Sequence, residues 1–164
     1  MAILVTGKGD KVFVDDEDLP SLSKSNWHIS KGYVVRNIWV EGKGRRLSYI
    51  HREIMGLQRS DPSKVDHING NPLDNRKENL RVCTNSQNLM NRGRPRSNTS
   101  GMKGVSWDKR ENKWRATIIK DQKQRFLGYF RNPEEAYEVY CLAADMLHGE
   151  FANHGSSYGN QVDR

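Results

Sequence analysis

The chain has 164 residues, 35% of them hydrophobic and 29% charged, which suits two small modules better than one large core. No stretch approaches the roughly 18 apolar residues of a membrane span, and the start MAILVTGKGDKVFVDD lacks the basic segment and apolar run of a secretory leader, so neither membrane insertion nor secretion is expected. The formal net charge of +7 points to a polyanionic partner, and the charge is segregated: residues 91–131 hold 12 Lys plus Arg against 3 Asp plus Glu, a net of +9, whereas residues 132–164 hold 1 against 6, a net of −5.

Residues 1–57 alternate short apolar runs (Ile3 to Val5, Val12 to Val14, Tyr33 to Val40, Leu47 to Ile50) with Gly, Lys and Asp clusters, and read as a small supporting antiparallel β region. Period-two alternation puts Tyr33, Val35, Asn37 and Trp39 on one strand face and Val34, Arg36, Ile38 and Val40 on the other, with a hairpin across Gly42, Lys43 and Gly44 to Leu47 to Ile50. Arg45 and Arg46 follow that turn, within reach of phosphates. The run SYIHREIMGL predicts a short helix with Ile50, Ile54 and Leu57 inward and Gly56 near its end, carrying His51 and Arg52.

The stretch VDHINGNPLDNRKENLRVCTNSQNLMN, Val65 to Asn91, carries the candidate chemistry. Asp66 and His67 follow a short apolar start, Gly70, Asn71 and Pro72 supply turn chemistry, and Asn79-Leu80-Arg81-Val82 resumes an extended pattern, so the first part is a hairpin. Thr84 stands three residues before Gln87, a capping-box spacing that opens a short helix carrying Asn88 and stopping near Gly93 and Pro95. This strand, loop, strand, helix unit can gather Asp66, His67, Asn79 and Asn88. One carboxylate and one amide oxygen, with a DNA phosphate, suit a hard divalent cation, and a neutral imidazole suits proton abstraction from water. Asn71, Asp74 and Asn75 read as loop-formers.

The pattern DHING-N-x-x-D-N-R-x-x-N-L-R-V followed by S-Q-N-x-x-N resembles the HNH endonucleases, especially phage and intron homing enzymes, over residues 65 to 92. The resemblance implies that Asp66 and Asn88 hold a divalent metal, Mg2+ first and Mn2+ as the alternative, that His67 activates water, and that Asn79 orients His67. Asn88 stands where many family members have a histidine. His51 and Arg52 are similar to a His-Arg pair in phage relatives and are second-rank candidates for a phosphate contact near the active site. No Cys-x-x-Cys pair flanks the motif, so no structural zinc is expected, and the widely spaced Cys83 and Cys141 fit a reducing cytoplasm.

Residues 93–101, GRPRSNTSG, have linker composition, with Arg94 and Arg96 placed to lie along a DNA groove. Beyond them three strand-like runs, Met102 to Trp107, Lys113 to Lys120 and Gln124 to Phe130, precede a helix with Asn132 as N-cap, Pro133 at its first position and Glu135 completing a capping box. Ala136, Tyr140, Ala143, Ala144 and Leu147 recur at helical spacing up to Gly149. In the middle strand Trp114, Ala116 and Ile118 face the helix while Arg115 and Thr117 face outward. Residues 102–154 resemble the plant APETALA-type (ethylene-response) DNA-binding domain in their G-V, K-W-x-A-x-I, L-G-x-F, E-E-A and A-A-x-x-x-x-G-x-x-A-N signposts. That resemblance puts Lys103, Ser106, Asp108, Arg115, Thr117, Gln124 and Phe126 at DNA-facing positions, although Ser106, Asp108, Gln124 and Phe126 depart from the family's usual Arg and Trp. From the residues alone, Lys109, Arg110, Arg115, Lys120, Lys123 and Arg125 would attract phosphates.

The expected protein is α+β. Residues 1–92 form an HNH module of ββα-metal type with its N-terminal β region, 93–101 a basic linker, 102–154 a three-stranded antiparallel sheet on one helix, and 155–164 a tail. Its expected activity is metal-dependent, site-preferring cleavage of double-stranded DNA, nicking rather than cutting both strands, by a cytoplasmic protein of a bacterial or phage-infected cell. A monomer is favoured over a dimer. The rivals are a non-catalytic DNA-binding regulator and a nuclease of low sequence preference.

Overall fold

The computed structural model describes residues 1–155; the rest of the expected 155–164 tail lies outside the described residues. The architecture is α+β, several small antiparallel sheets with few helices. Two compact units divide the chain, one from Met1 to Cys83 and one beginning at Thr84.

In the first unit, β1 (Ala2–Val5) pairs antiparallel with β2 (Lys11–Val14), and β3 (His28–Ser30), β4 (Tyr33–Val40) and β5 (Gly44–Tyr49) form a second sheet in that order. A four-residue helix α1 (Leu19–Leu22), with Pro20 in its first turn, and strand β3 are additions to the expected elements. Leu4, Val12, Val14, Leu22, Trp27, Val34 and Ile50 close the core. The short helix after β5, α2 (Ile50–Ile54), ends earlier than the spacing predicts, because the chain reverses at Gly56 with φ 66°, a conformation that glycine adopts without strain.

The hairpin that carries the candidate chemistry pairs β6 (Lys64–His67) with β7 (Leu80–Cys83). Its connecting loop is fastened to β2. The Phe13 amide donates to the Leu73 carbonyl at 2.8 Å, the Asn75 amide donates to the Phe13 carbonyl at 2.8 Å, and the Asp15 carboxylate accepts from the Lys77 amide at 2.8 Å. The N-terminal strands therefore brace the candidate site.

The second unit opens with α3 (Asn85–Met90), whose capping box has both bonds: the Gln87 amide donates to the Thr84 hydroxyl and the Thr84 amide donates to the Gln87 side chain. Strands β8 (Val105–Asp108), β9 (Lys113–Lys120) and β10 (Lys123–Phe130) form one antiparallel sheet with β9 central, and α4 (Pro133–His148) packs on it. Val105, Ala116, Ile118, Ala136, Tyr140 and Ala144 are buried between sheet and helix, while Trp114 is half-buried at the edge of that core. The expected first strand begins three residues late. Residues 102–104 form a turn instead, in which Gly104 has φ 77° and a side chain there would meet the Tyr140 ring at 2.1 Å. The stretch expected to be wholly linker is exposed through Ser97, but Asn98 donates to the Met102 and Val105 carbonyls at 2.8 and 3.1 Å and Ser100 donates to the Val105 carbonyl, so its latter half belongs to the folded unit.

Candidate active site

Strand register explains the first contact. Asp66 and Arg81 are cross-strand partners in the β6–β7 pair, and the Arg81 guanidinium donates to Asp66 Oδ2 through Nε at 2.9 Å and Nη2 at 2.8 Å. Both side chains are largely buried, Asp66 at 7% and Arg81 at 14% exposure, so the carboxylate leaves water only because a cation accompanies it.

His67, next on the strand, is also buried, and its Nε2 lies 3.2 Å from Oδ1 of the fully buried Asn75. The Asn75 Nδ2 donates to the Pro72 carbonyl, which fixes the amide's orientation and turns its oxygen to the ring. An accepting oxygen requires the proton on Nε2, so the neutral ring carries its lone pair on Nδ1. Burial holds the His67 pKa below the ordinary histidine value, against the Asn75 hydrogen bond and the carboxylates of Asp66 and Asp74, which pull the other way. A neutral imidazole at neutral pH is the form that can accept a proton.

The geometry changes the assignment of Asn79. Its Oδ1 accepts from the Asn69 amide at 3.0 Å, and its Nδ2 donates to Asn69 Oδ1 at 3.0 Å and to the Asp74 carbonyl at 2.7 Å. Asn79 thus closes the loop that presents Asn75, while Asn75, grouped by sequence with the loop-formers, is the amide on the imidazole. Asp74 anchors the same loop by accepting from Arg76 Nε and Nη2, both at 2.8 Å, and from Asn69 Nδ2 at 2.9 Å. The Arg76 hydrogen bonds hold the Asp74 carboxyl below its usual range. Asn71, by contrast, remains a turn residue, its side chain accepting from the Leu73 amide.

Of the second-rank pair, Arg52 is differently used from the expected phosphate contact. Its guanidinium donates to the carbonyls of Ser63 at 2.6 Å, Gln58 at 2.8 Å and Asp61 at 3.0 Å, and so folds the loop before β6. His51 is buried with no partner at Nδ1, and its ring meets that of His67 edge-on at 5.2 Å. Tyr33 and Tyr49 pack on His51 at 5.7 and 5.5 Å, and Tyr33 reaches His67 at 6.4 Å. Burial pushes the His51 pKa down to about 3, with the neighbouring His67 and Arg52 adding to the effect. Sequence spacing gives no sign of this ring cluster, because its members come from four separate elements.

Asn88 is half-buried on α3 of the second unit. Among the described residues no group of three or more His, Cys, Asp and Glu comes together. A single carboxylate such as Asp66, completed by waters and substrate phosphate, is a donor set that fits Mg2+, which keeps most of its waters, better than an ion needing a full protein cage.

In the second unit the expected DNA-facing residues separate into two groups. Register places Ser106 opposite Arg115, Phe126 opposite Thr117, and Gln124 opposite Ile119, all on the face away from α4. There Arg115 lies over the Phe126 ring at 6.0 Å, Gln124 Nε2 donates to Thr117 Oγ1 at 3.2 Å, and Tyr129 donates to Asp108 at 3.1 Å. Arg94, Arg96, Lys109, Arg110, Lys123 and Arg125 are exposed. Lys103 and Lys120 differ from expectation: Lys103 Nζ donates to the Met90 and Asn153 carbonyls at 3.0 and 2.8 Å, and Lys120 Nζ donates to the Leu147 carbonyl at 2.7 Å. Burial lowers the Lys103 pKa to about 8. Both ammonium groups satisfy backbone oxygens that the helix and the chain ends leave open.

The family model described as HNH endonuclease matches residues 61–90, which span the buried Asp66 and His67 and the whole of α3. A protein of Acanthamoeba polyphaga mimivirus named "Uncharacterized HNH endonuclease L560" is 33% identical over 151 residues, 92% of this chain and 77% of its own length. "Protein 3.8" of Escherichia phage T7 is 40% identical over 88 residues, 54% of this chain and 72% of its own. No solved structure matches the chain. The hairpin with its paired carboxylate and held imidazole belongs to a hydrolytic enzyme of nuclease class. The chain is a member of the HNH endonuclease family.

Proposed function

We propose that this endonuclease cuts double-stranded DNA in a metal-dependent, site-preferring manner of the homing type, nicking one strand as a monomer in the cytoplasm of a bacterial or phage-infected cell. The observation that carries this reading is the buried, neutral His67 held by Asn75 on the residue after the Arg81-paired Asp66. His67 Nδ1 takes the proton of the attacking water, and Asn75 keeps the tautomer that makes this possible. Asn79 holds the loop on which Asn75 sits. Asp66 and Asn88 would hold the metal, Mg2+ or alternatively Mn2+, whose chemistry is to polarise the scissile phosphate and stabilise the leaving oxygen. Arg81 keeps the Asp66 carboxylate oriented within the strand pair. One such site cuts one strand per binding event.

Residues 102–154 serve in this reading as an APETALA-type reader joined through a basic 93–101 segment to a 1–92 nuclease module. The outward face of β8–β10 supports it, with Ser106, Arg115, Thr117 and Gln124 on one surface and exposed Lys109, Arg110, Lys123 and Arg125 in the same sheet and its turns. Arg94 and Arg96 extend the basic surface along the chain. Lys103 and Lys120, whose ammonium groups are engaged within the unit, leave the proposed DNA-contact set. Mapping the products of a genomic DNA library cut with Mg2+ tests the whole reading. Nicks clustered at one sequence are expected. Cutting that persists in saturating EDTA would overturn metal dependence, and evenly scattered cuts would make this a nuclease of low preference.

A further inference from the structure

The β4–β5 hairpin presents a face that neither the core nor the proposed chemistry uses. Alternation turns Tyr33, Val35, Asn37 and Trp39 to one side, of which only Val35 is buried, and the register sets Tyr49 opposite Val35, Leu47 opposite Asn37 and Arg45 opposite Trp39. The other side is occupied: Val34 lies in the core, and Arg36 and Ser48 are both fastened to Glu53. On the open side Trp39 is 80% exposed, Tyr33 43%, Leu47 37% and Tyr49 36%. Single exposed apolar residues are ordinary, but a row of four on a braced hairpin is a contact surface.

Two further observations say what covers it. The row leads to the candidate active site, since Tyr33 and Tyr49 meet at 6.1 Å, both pack on His51, and Tyr33 reaches the His67 ring. Its far end is basic, with exposed Lys43, Arg45 and Arg46 beside a single acid, Glu41. We infer that this face is the substrate track of the nuclease module: it grips DNA beside the scissile phosphodiester, with Arg45 on a phosphate and the Trp39 indole packed against the sugar-phosphate backbone beside it. The major groove admits a two-stranded ribbon, and contacts to sugar and phosphate hold a duplex without regard to sequence. The track therefore supplies grip and alignment, not recognition. This inference rests on the endonuclease reading of His67 for its direction, since the row is aimed at that ring.

The test uses the full chain and a labelled duplex containing the mapped cut site. Trp39→Ala should weaken binding roughly tenfold and raise KM with kcat at saturation unchanged, while Trp39→Phe keeps most of the affinity and the melting temperatures of both variants match the parent. Arg45→Ala should reduce the slope of log K against log salt by about 1. Equal affinity and KM in Trp39→Ala and the parent would overturn the track. So would a change in oligomeric state with no change in DNA binding, which would make the face a self-association surface. A parent protein that binds DNA but never cuts would refute the role of His67 separately, and the binding loss in Trp39→Ala would still be read on its own.

Discussion

The surroundings of the β6–β7 hairpin and the seam between the β8–β10 sheet and α4 bury opposite kinds of side chain. Around the β6–β7 hairpin the interior is polar, with Asp66, His67, Asp74, Asn75 and Asn79 all buried along with His51, whereas the space between the β8–β10 sheet and α4 is filled by Val105, Ala116, Ile118, Ala136, Tyr140 and Ala144. A buried polar group costs free energy unless it is partnered, so an interior of this kind is stable only when its hydrogen bonds close on one another. Those of the hairpin loop do: Asn79 holds Asn69 and Asp74, Asp74 holds Arg76, and Asn75 holds His67. The difference teaches that the hairpin has stability tied up in positioning chemistry, whereas the seam between the β8–β10 sheet and α4 is assembled for packing.

The largest effect that tests this contrast is on rate. His67→Ala should lower cleavage by about 10² to 10⁴ in single-turnover assays while DNA affinity stays near that of the parent; cutting at parental speed would remove His67 from the mechanism. Next comes the packed interior, where Tyr140→Ala should cost about 3 to 5 kcal/mol in the unfolding of the second unit, followed by denaturant melts. Gly104→Ala should disturb the same spot, since its side chain would run into the Tyr140 ring. An unchanged melt in either variant would show that the sheet and helix are not held together by this contact.

Asn75→Ala sharpens the comparison from the polar side. It strips both the imidazole and the Pro72 carbonyl of their partner, so a stability loss of about 1 to 3 kcal/mol should accompany a fall in cleavage. If the variant melted earlier but cut at full rate, Asn75 would be a loop residue only.

The most gradual effect, spread over several pH units, is the pH dependence carried by His51. Its pKa in the folded protein is about 3, below the ordinary 6.5, so the unfolded chain binds a proton that the folded chain excludes. Stability from this group is full above pH 6.5 and falls as pH drops, by about 1.4 kcal/mol per pH unit, until it levels off near pH 3. Melting temperatures taken from pH 7 to pH 4 should fall less steeply in His51→Gln than in the parent, and parallel curves would refute the burial argument.

Patterned elements were legible from the chain because their signals are local. Strand β9 and helix α4 begin and end where alternation, Asn132 and Gly149 predict, and the Asn132 side chain accepts from the Glu135 amide at 2.8 Å. Strand β3 and helix α1 are too short for any period to show, three and four residues. The start of β4 misleads for another reason: Val34 and Val35 are both fully buried, so the alternation that separates inside from outside fails there.

Within the candidate site the residue types at Asp66, His67, Asn79 and Asn88 could be picked out by sequence, because their spacing follows a hairpin and a capped helix. What each amide does could not. Asn75 and Asn79 are chemically identical, and only the folded loop decides that one faces the imidazole and the other closes the turn. The same holds for cations: Arg52 and Lys120 read as phosphate contacts and Lys103 as DNA-facing, yet each donates to backbone carbonyls of its own unit. By itself the sequence determined the α+β class, the hairpin and the family motif, all of which depend on neighbours a few residues apart. Tertiary structure alone decided which polar groups meet, and with them the His51–His67–Tyr33–Tyr49 cluster, because hydrogen bonds and ring contacts are short-ranged and join residues that only the fold brings within reach.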